Sequence, residues 1–133
     1  QLVMSRIADA VQRQLPDARM QGICDLTWQS RKFSGNALRL TRGHVLYHGT
    51  ILYDADLDLV ARCLDFAPRQ PDYRQGRAHR AFVTNIPIDP GQLCGDLAWQ
   101  FGDAADDVSS IVKNRAIELA DTRYRCPKWR FRH

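Results

Sequence analysis

No stretch of this chain approaches the roughly 20 consecutive apolar residues that a membrane-spanning helix needs, so no membrane partner is expected. Residues 1–15 mix charged with apolar positions, unlike a secretory signal peptide. The four cysteines, Cys24, Cys63, Cys94 and Cys126, form no C-x-x-C pair, and their wide spacing excludes a zinc ribbon. Without a secretory signal, free thiols in a reducing cytoplasm are the expectation. Each cysteine then reads first as a small core residue. No internal repeat or low-complexity tract interrupts the chain. It opens on Gln1 rather than on Met, which sets the expectation of a fragment or a processed form.

What is present is ordinary globular composition. The 133 residues suit a single domain spanning 1–133, and 44% apolar with 26% charged residues is enough for a modest core. The net charge is +4 and the pI about 9.1. That mild basicity favours a solvated surface over nucleic-acid binding. The most basic run, "YRCPKWRFRH" at the end, interleaves arginine with aromatic rings. Such interleaving can hold a single strand of nucleic acid. It is read here as a tail packing Trp129 and Phe131 while its arginines face water, so nucleic acid is not an expected partner.

Hydrophobic spacing gives the elements. Val3, Ile7, Val11 and Leu15 recur every four residues and predict a helix ended by Pro16. Residues 20–30 alternate with period two, placing Cys24, Leu26 and Trp28 on one face of a strand and Asp25 and Thr27 on the other. A second strand is expected over about 37–42, a turn at Arg42-Gly43, and a third strand in "HVLYHGTILYD" with Val45, Tyr47, Ile51 and Tyr53 on one side. The three would form an antiparallel meander. Helical spacing returns at Leu57, Val60, Ala61 and Leu64, with Asp54 or Asp56 as N-cap. Residues 67–80 read as a long polar loop, a kind of segment that often carries function. "FVTNIPIDP" is extended and broken by prolines. Leu93, Leu97 and Phe101 mark another helix, and Val108, Ile111, Val112, Arg115 and Leu119 the last. The class is α/β or α+β, a mainly antiparallel sheet with helices packed on it.

One stretch stands apart chemically. "RKFSGNALR" places Lys32 just ahead of Ser34, Gly35, Asn36 and Ala37, where a core strand would carry bulk. Small residues let another group approach the backbone, and a lysine beside the gap supplies positive charge for a carboxylate or phosphate. A β-bulge requiring Gly35 with a solvated Lys32 accounts for the same residues. His44 and His48 share a strand face, but two histidines without a third ligand make a poor metal site. Ser34 with His48 is a nominal nucleophile and base that no spacing demands.

Three blocks together carry a resemblance: "RKFSGNALR", then "HGTILYDADL", then "VTNIP", in that order and at compatible spacing. With "GICDL" ahead of them and "YRCPKWRF" at the end, the chain resembles the lipoate-protein ligase family over nearly its whole length. The resemblance implies part of a biotin/lipoate-ligase-like α/β domain, corresponding to the second half of the catalytic domain. It implies that Lys32 is the catalytic cation, contacting the acyl carboxylate and then the acyl-adenylate. Ser34, Gly35, Asn36 and Ala37, with His48, Gly49 and Thr50, become the substrate wall. Asp25 and Asn85 fall near the nucleotide, Asp25 also as a ligand for Mg²⁺. The implied cofactors are ATP and Mg²⁺. The implied partners are lipoate or octanoate and a lipoyl carrier domain with its acceptor lysine.

The family's first half carries an Arg-Arg-x-Gly-Gly-Gly phosphate loop that has no counterpart here, so activity of the chain alone is not expected. Cys24 also replaces the family's usual asparagine. Two other readings follow. Octanoyl- or lipoyl-transferring relatives use a cysteine thioester, for which Cys24 is the candidate. A truncated, non-enzymatic module binding an acyl group or a partner is the other. A half-domain should leave apolar sheet surface uncovered, so a homodimer or a complex with a separate first-half chain is expected.

Overall fold

The computed structural model describes residues 2–65, 68–102 and 108–132. Residue 67 of the expected polar loop, residues 103–107 between the last two expected helices and the terminal His133 lie outside them. The chain forms two compact units, residues 1–102 and 103–133.

In the first unit, α1 (Leu2–Gln12) buries Met4, Ala8, Ala10 and Val11. The chain reverses around Pro16 and enters β1 (Arg19–Gln21), β2 (Asp25–Trp28) and β3 (Arg31–Lys32), an antiparallel three-stranded sheet in that order. The single strand expected over 20–30 is therefore two strands. Gly22 adopts φ +59, a left-handed conformation that glycine takes without steric cost, and the chain turns there. Cys24 belongs to that turn and not to a strand face. Trp28 pairs with Arg31 across a tight turn in which Gln29 and Ser30 both take positive φ, the backbone of the mirror-image hairpin turns.

A second sheet holds β4 (Ser34–Thr41) and β5 (His44–Ile51), paired from Ser34↔Ile51 to Thr41↔His44 around the expected Arg42-Gly43 turn. The expected meander is thus two sheets, and the division falls at Phe33. Its ring is fully buried, its N–H donates to the Leu26 carbonyl (3.0 Å), and its carbonyl accepts from Leu52 N–H (2.8 Å). Bulk at this one position turns the chain inward and ends β3 before β4 begins.

Helix α2 (Leu57–Cys63) is capped by Asp56, whose carboxylate accepts from the Asp58 and Leu59 amides. The polar loop contains a 3₁₀ turn at Asp72–Arg74 and leads into the short α3 (His79–Phe82). "VTNIP" runs alongside the backbone of Lys32 and Leu52. Val83 bridges Lys32 in parallel, Thr84 N–H donates to the Lys32 carbonyl (2.9 Å), and Ile86 N–H donates to the Leu52 carbonyl (2.9 Å). Helix α4 (Pro90–Phe101) starts at an Asp89 cap with proline in its first turn, where the missing N–H does no harm. It packs on α1, held by Arg13–Asp96 (2.9 Å) and by Gln14, which both donates to and accepts from the Asp89 backbone. Leu26, Phe33, Ile86 and Val11 are the large fully buried side chains. Each contributes about 1.5–3 kcal/mol by burial.

The second unit contains α5 (Ser110–Leu119), a π-helical turn at Ala120–Tyr124 and α6 (Pro127–Arg130). Within it, Trp129 is half-buried against the guanidinium groups of Arg132 and Arg123 and the edge of Tyr124. No helix among the described residues is long and apolar enough to cross a membrane.

Candidate active site

The pairing of β2 with β3 puts Lys32 opposite Thr27, on the same face as Asp25. The result is an ion pair: Lys32 Nζ lies 2.5 Å from Asp25 Oδ1, with the lysine side chain 26% exposed and the aspartate 12%. The other carboxylate oxygen, Oδ2, accepts a hydrogen bond from the Tyr73 hydroxyl (2.7 Å). Tyr73 comes from the 3₁₀ turn of the polar loop, 48 positions from Asp25. Burial, chiefly, and the hydrogen bond to the Asp25 carboxylate raise its pKa well above the ordinary tyrosine value, opposed by the Arg77 guanidinium. Tyr73 and Asp25 border an open cavity of about 660 Å³ that also touches Gly22, Cys24 and Arg69.

The loop is tied down independently. Arg77 donates to the carbonyls of Tyr73, Arg74, Ala81 and Ser30, the last of these in the β2–β3 turn. Tyr73 also packs against Phe82, ring centroids 5.4 Å apart. Arg31, beside Lys32, donates to Thr84 Oγ1 (2.8 Å).

The small-residue wall divides between two faces of the β4–β5 hairpin. By register, Gly35, Ala37, His48 and Thr50 share one face, and Ser34, Asn36 and Gly49 the other. Ser34 therefore does not meet His48. Its hydroxyl is buried and accepts from Leu26 N–H (2.9 Å) and Asn36 Nδ2 (2.9 Å). Asn36 is a hub: Nδ2 also donates to the Cys24 carbonyl (2.6 Å), and Oδ1 accepts from the Tyr47 hydroxyl (2.7 Å). The glycines make room for these neighbours. A Cβ on Gly49 would stand 2.5 Å from Asn36 Oδ1, and one on Gly35 would stand 3.1 Å from Thr50 Oγ1. At these two glycines the close approach is made by the hairpin's own side chains.

Asn85, expected near the nucleotide, donates to the Ala55 carbonyl (2.9 Å) and accepts from Ala55 N–H (3.0 Å), pinning the start of α2 to the extended segment. Both Asp25 oxygens are engaged, by Lys32 and Tyr73, and no group of three or more His, Cys, Asp or Glu side chains that could hold a metal ion exists among the described residues.

Comparison with known proteins identifies the framework that presents this cluster. The family described as the lipoyl protein ligase A/B catalytic domain matches residues 2–99. The chain belongs to that family. It is 31% identical over 70 residues to the lipoate-protein ligase LplJ of Bacillus subtilis, covering 53% of this chain and 21% of that protein. Its fold matches a lipoate-protein ligase A solved with ATP (TM-score 0.76, 18% identity, covering 96% of this chain and 56% of that one). It also matches the bi-partite lipoate-protein ligase of Thermoplasma acidophilum, studied with its E2 lipoyl domain (TM-score 0.73, 22% identity, 96% and 55%). The chain thus spans little more than half the length of the solved relatives. Tyr73 carried no sequence signal beyond its place in a long polar loop.

Two outcomes follow. Gly49→Ala should lose about 1–3 kcal/mol of stability in urea unfolding, because its methyl group meets Asn36. The Asn36→Ala/Gly49→Ala double variant should lose less than the sum of the single changes, whereas strict additivity would mean that the two residues do not meet. Tyr73 holds its proton more tightly when folded, so its contribution to stability is complete below about pH 10 and falls away as pH rises above that value. In an alkaline titration followed by phenolate absorbance, Tyr73→Phe should remove a step that lies above the ordinary tyrosine range; an unchanged titration above that range would refute the assignment.

Proposed function

We propose that this chain supplies the acyl-contacting part of a lipoate-protein ligase catalytic domain, with Lys32 as the catalytic cation. The observation that carries the reading is the Lys32 ammonium, half-buried and paired with Asp25, whose own carboxylate borders the cavity, in a chain of this family. In the proposed reaction a lipoate or octanoate carboxylate attacks the α-phosphorus of ATP. Pyrophosphate leaves and an acyl-adenylate forms. The deprotonated ε-amine of an acceptor lysine on a lipoyl carrier domain then attacks the acyl carbonyl, AMP leaves, and an amide results. Lys32 would first neutralise the carboxylate and later stabilise negative charge building on the carbonyl oxygen, a role for which a fixed cation in a poorly solvated site is suited. The outward residues Gly35, Ala37, His48 and Thr50 are the part of the wall that can face the acyl group. Ser34, Asn36 and Gly49 would act from behind it by fixing the hairpin.

Asp25 is assigned to Lys32 rather than to magnesium. The phosphates of ATP need a cradle of backbone N–H groups, and the chain contains no glycine-rich run for one. That function is assigned to the remaining part of the catalytic domain. Leu38, Leu40 and Val45 leave one face of the hairpin apolar and exposed, and we assign that surface to the same remaining part. A cytoplasmic setting fits such a reaction.

A thioester-forming transferase would need Cys24 as nucleophile. The Cys24 side chain packs against the core, and its carbonyl is held by Asn36. In a complete domain assembled from this chain and a family first half, Lys32→Gln should lower lipoylation of a carrier domain by ~100-fold or more, with Cys24→Ser close to wild type. Full activity of Lys32→Gln would refute the assignment, and loss of activity with Cys24→Ser would favour the thioester route.

A further inference from the structure

We propose that Tyr73 is a positioning residue for Lys32 that acts through Asp25. By holding Oδ2, it lets the ammonium leave Oδ1 for an anionic substrate. The proposal rests on the reading of Lys32 as the substrate-contacting cation.

The ammonium has two competing demands. Asp25 is 8% exposed, and a carboxylate so placed is costly to leave without donors. If Lys32 were its one partner, moving the ammonium to a substrate would strand the buried charge. The Tyr73 hydroxyl is a second donor that stays when Lys32 moves. Donors to one carboxylate also compete with each other. A charge already shared with Tyr73 attracts Lys32 less strongly, which eases its exchange to the substrate.

The surroundings keep this donor in place. The Tyr73 ring rests on Phe82 and over Gly22, where Cε1 lies 3.4 Å from the position a Cβ would occupy. Its carbonyl is held by Arg77 (2.9 Å), and Arg77 also reaches the Ser30 carbonyl in the turn that leads to Lys32. Loop and hairpin are therefore fastened together, with the hydroxyl directed at Asp25. The raised pKa keeps that hydroxyl protonated through neutral pH.

Competitive acetylation with trace acetic anhydride at mildly alkaline pH reads the free-amine fraction of Lys32. Lys113 and Lys128, in the second unit, serve as internal references. Tyr73→Phe keeps the ring and removes only the donor. It should make Asp25 grip Lys32 more tightly and lower the relative reactivity of Lys32 roughly threefold or more. In an Asp25→Asn background the same change should have no effect. A merely structural Tyr73 gives the opposite sign, because loosening the loop exposes Lys32 and raises its reactivity. Unchanged or increased reactivity in Tyr73→Phe, or an equal decrease in the Asp25→Asn background, would overturn the proposal. The readout needs neither lipoate nor ATP, so it can fail while the ligase assignment stands, and the reverse.

Discussion

The site depends on the burial of Phe33. A fully buried ring at this position forces the backbone inward between β3 and β4 and commits both of its backbone groups, to Leu26 and Leu52. Its neighbours are fixed as a consequence. Lys32 is displayed on the opposite side, next to Thr27 and Asp25, with its carbonyl taken by Thr84. Ser34 begins the hairpin with its hydroxyl on the Leu26 amide. The same packing that stabilises the core thereby sets the face from which the Lys32 side chain leaves the backbone.

Around that pivot, polar groups are satisfied by cross-links between distant segments. Asn36 joins β4 to the turn at Cys24 and to Tyr47, Asn85 joins the extended segment to the start of α2, and Arg77 joins the polar loop to the β2–β3 turn. Buried polar groups left without partners cost about 1–3 kcal/mol each, so these links stabilise the fold and also set the distances within the site. Asp25 stands where two such systems meet, with the hairpin's ammonium on one oxygen and the loop's hydroxyl on the other.

Much of this was legible in the sequence. The period of Val3, Ile7 and Val11 gives α1, the Arg42-Gly43 turn gives the hairpin, Asp56 gives the α2 cap, and the charged residue before Ser34-Gly35-Asn36-Ala37 marks Lys32. Periodicity failed where one residue redirects the backbone. Gly22 breaks an alternating run that otherwise reads as one strand, and Phe33 ends a strand while keeping a strand-like pattern. Side-chain direction was also out of reach. Alternation about the hairpin could be written down, but only the register Asn36↔Gly49 and Ala37↔His48 separates the outward residues from those that brace them. Tyr73 could not be found from spacing, because its contact with Asp25 is made by a loop whose path depends on tertiary hydrogen bonds.

The central claim is that Lys32 exchanges its ion pair with Asp25 for the acyl end of the substrate. The chain has three lysines, Lys32, Lys113 and Lys128, so side-chain nitrogen resonances of ¹⁵N-lysine-labelled protein can be assigned by substitution. In a complete catalytic domain, a non-hydrolysable lipoyl-adenylate analogue should shift the Lys32 ammonium resonance and leave those of Lys113 and Lys128 in place. Saturating analogue with an unmoved Lys32 resonance would contradict the account.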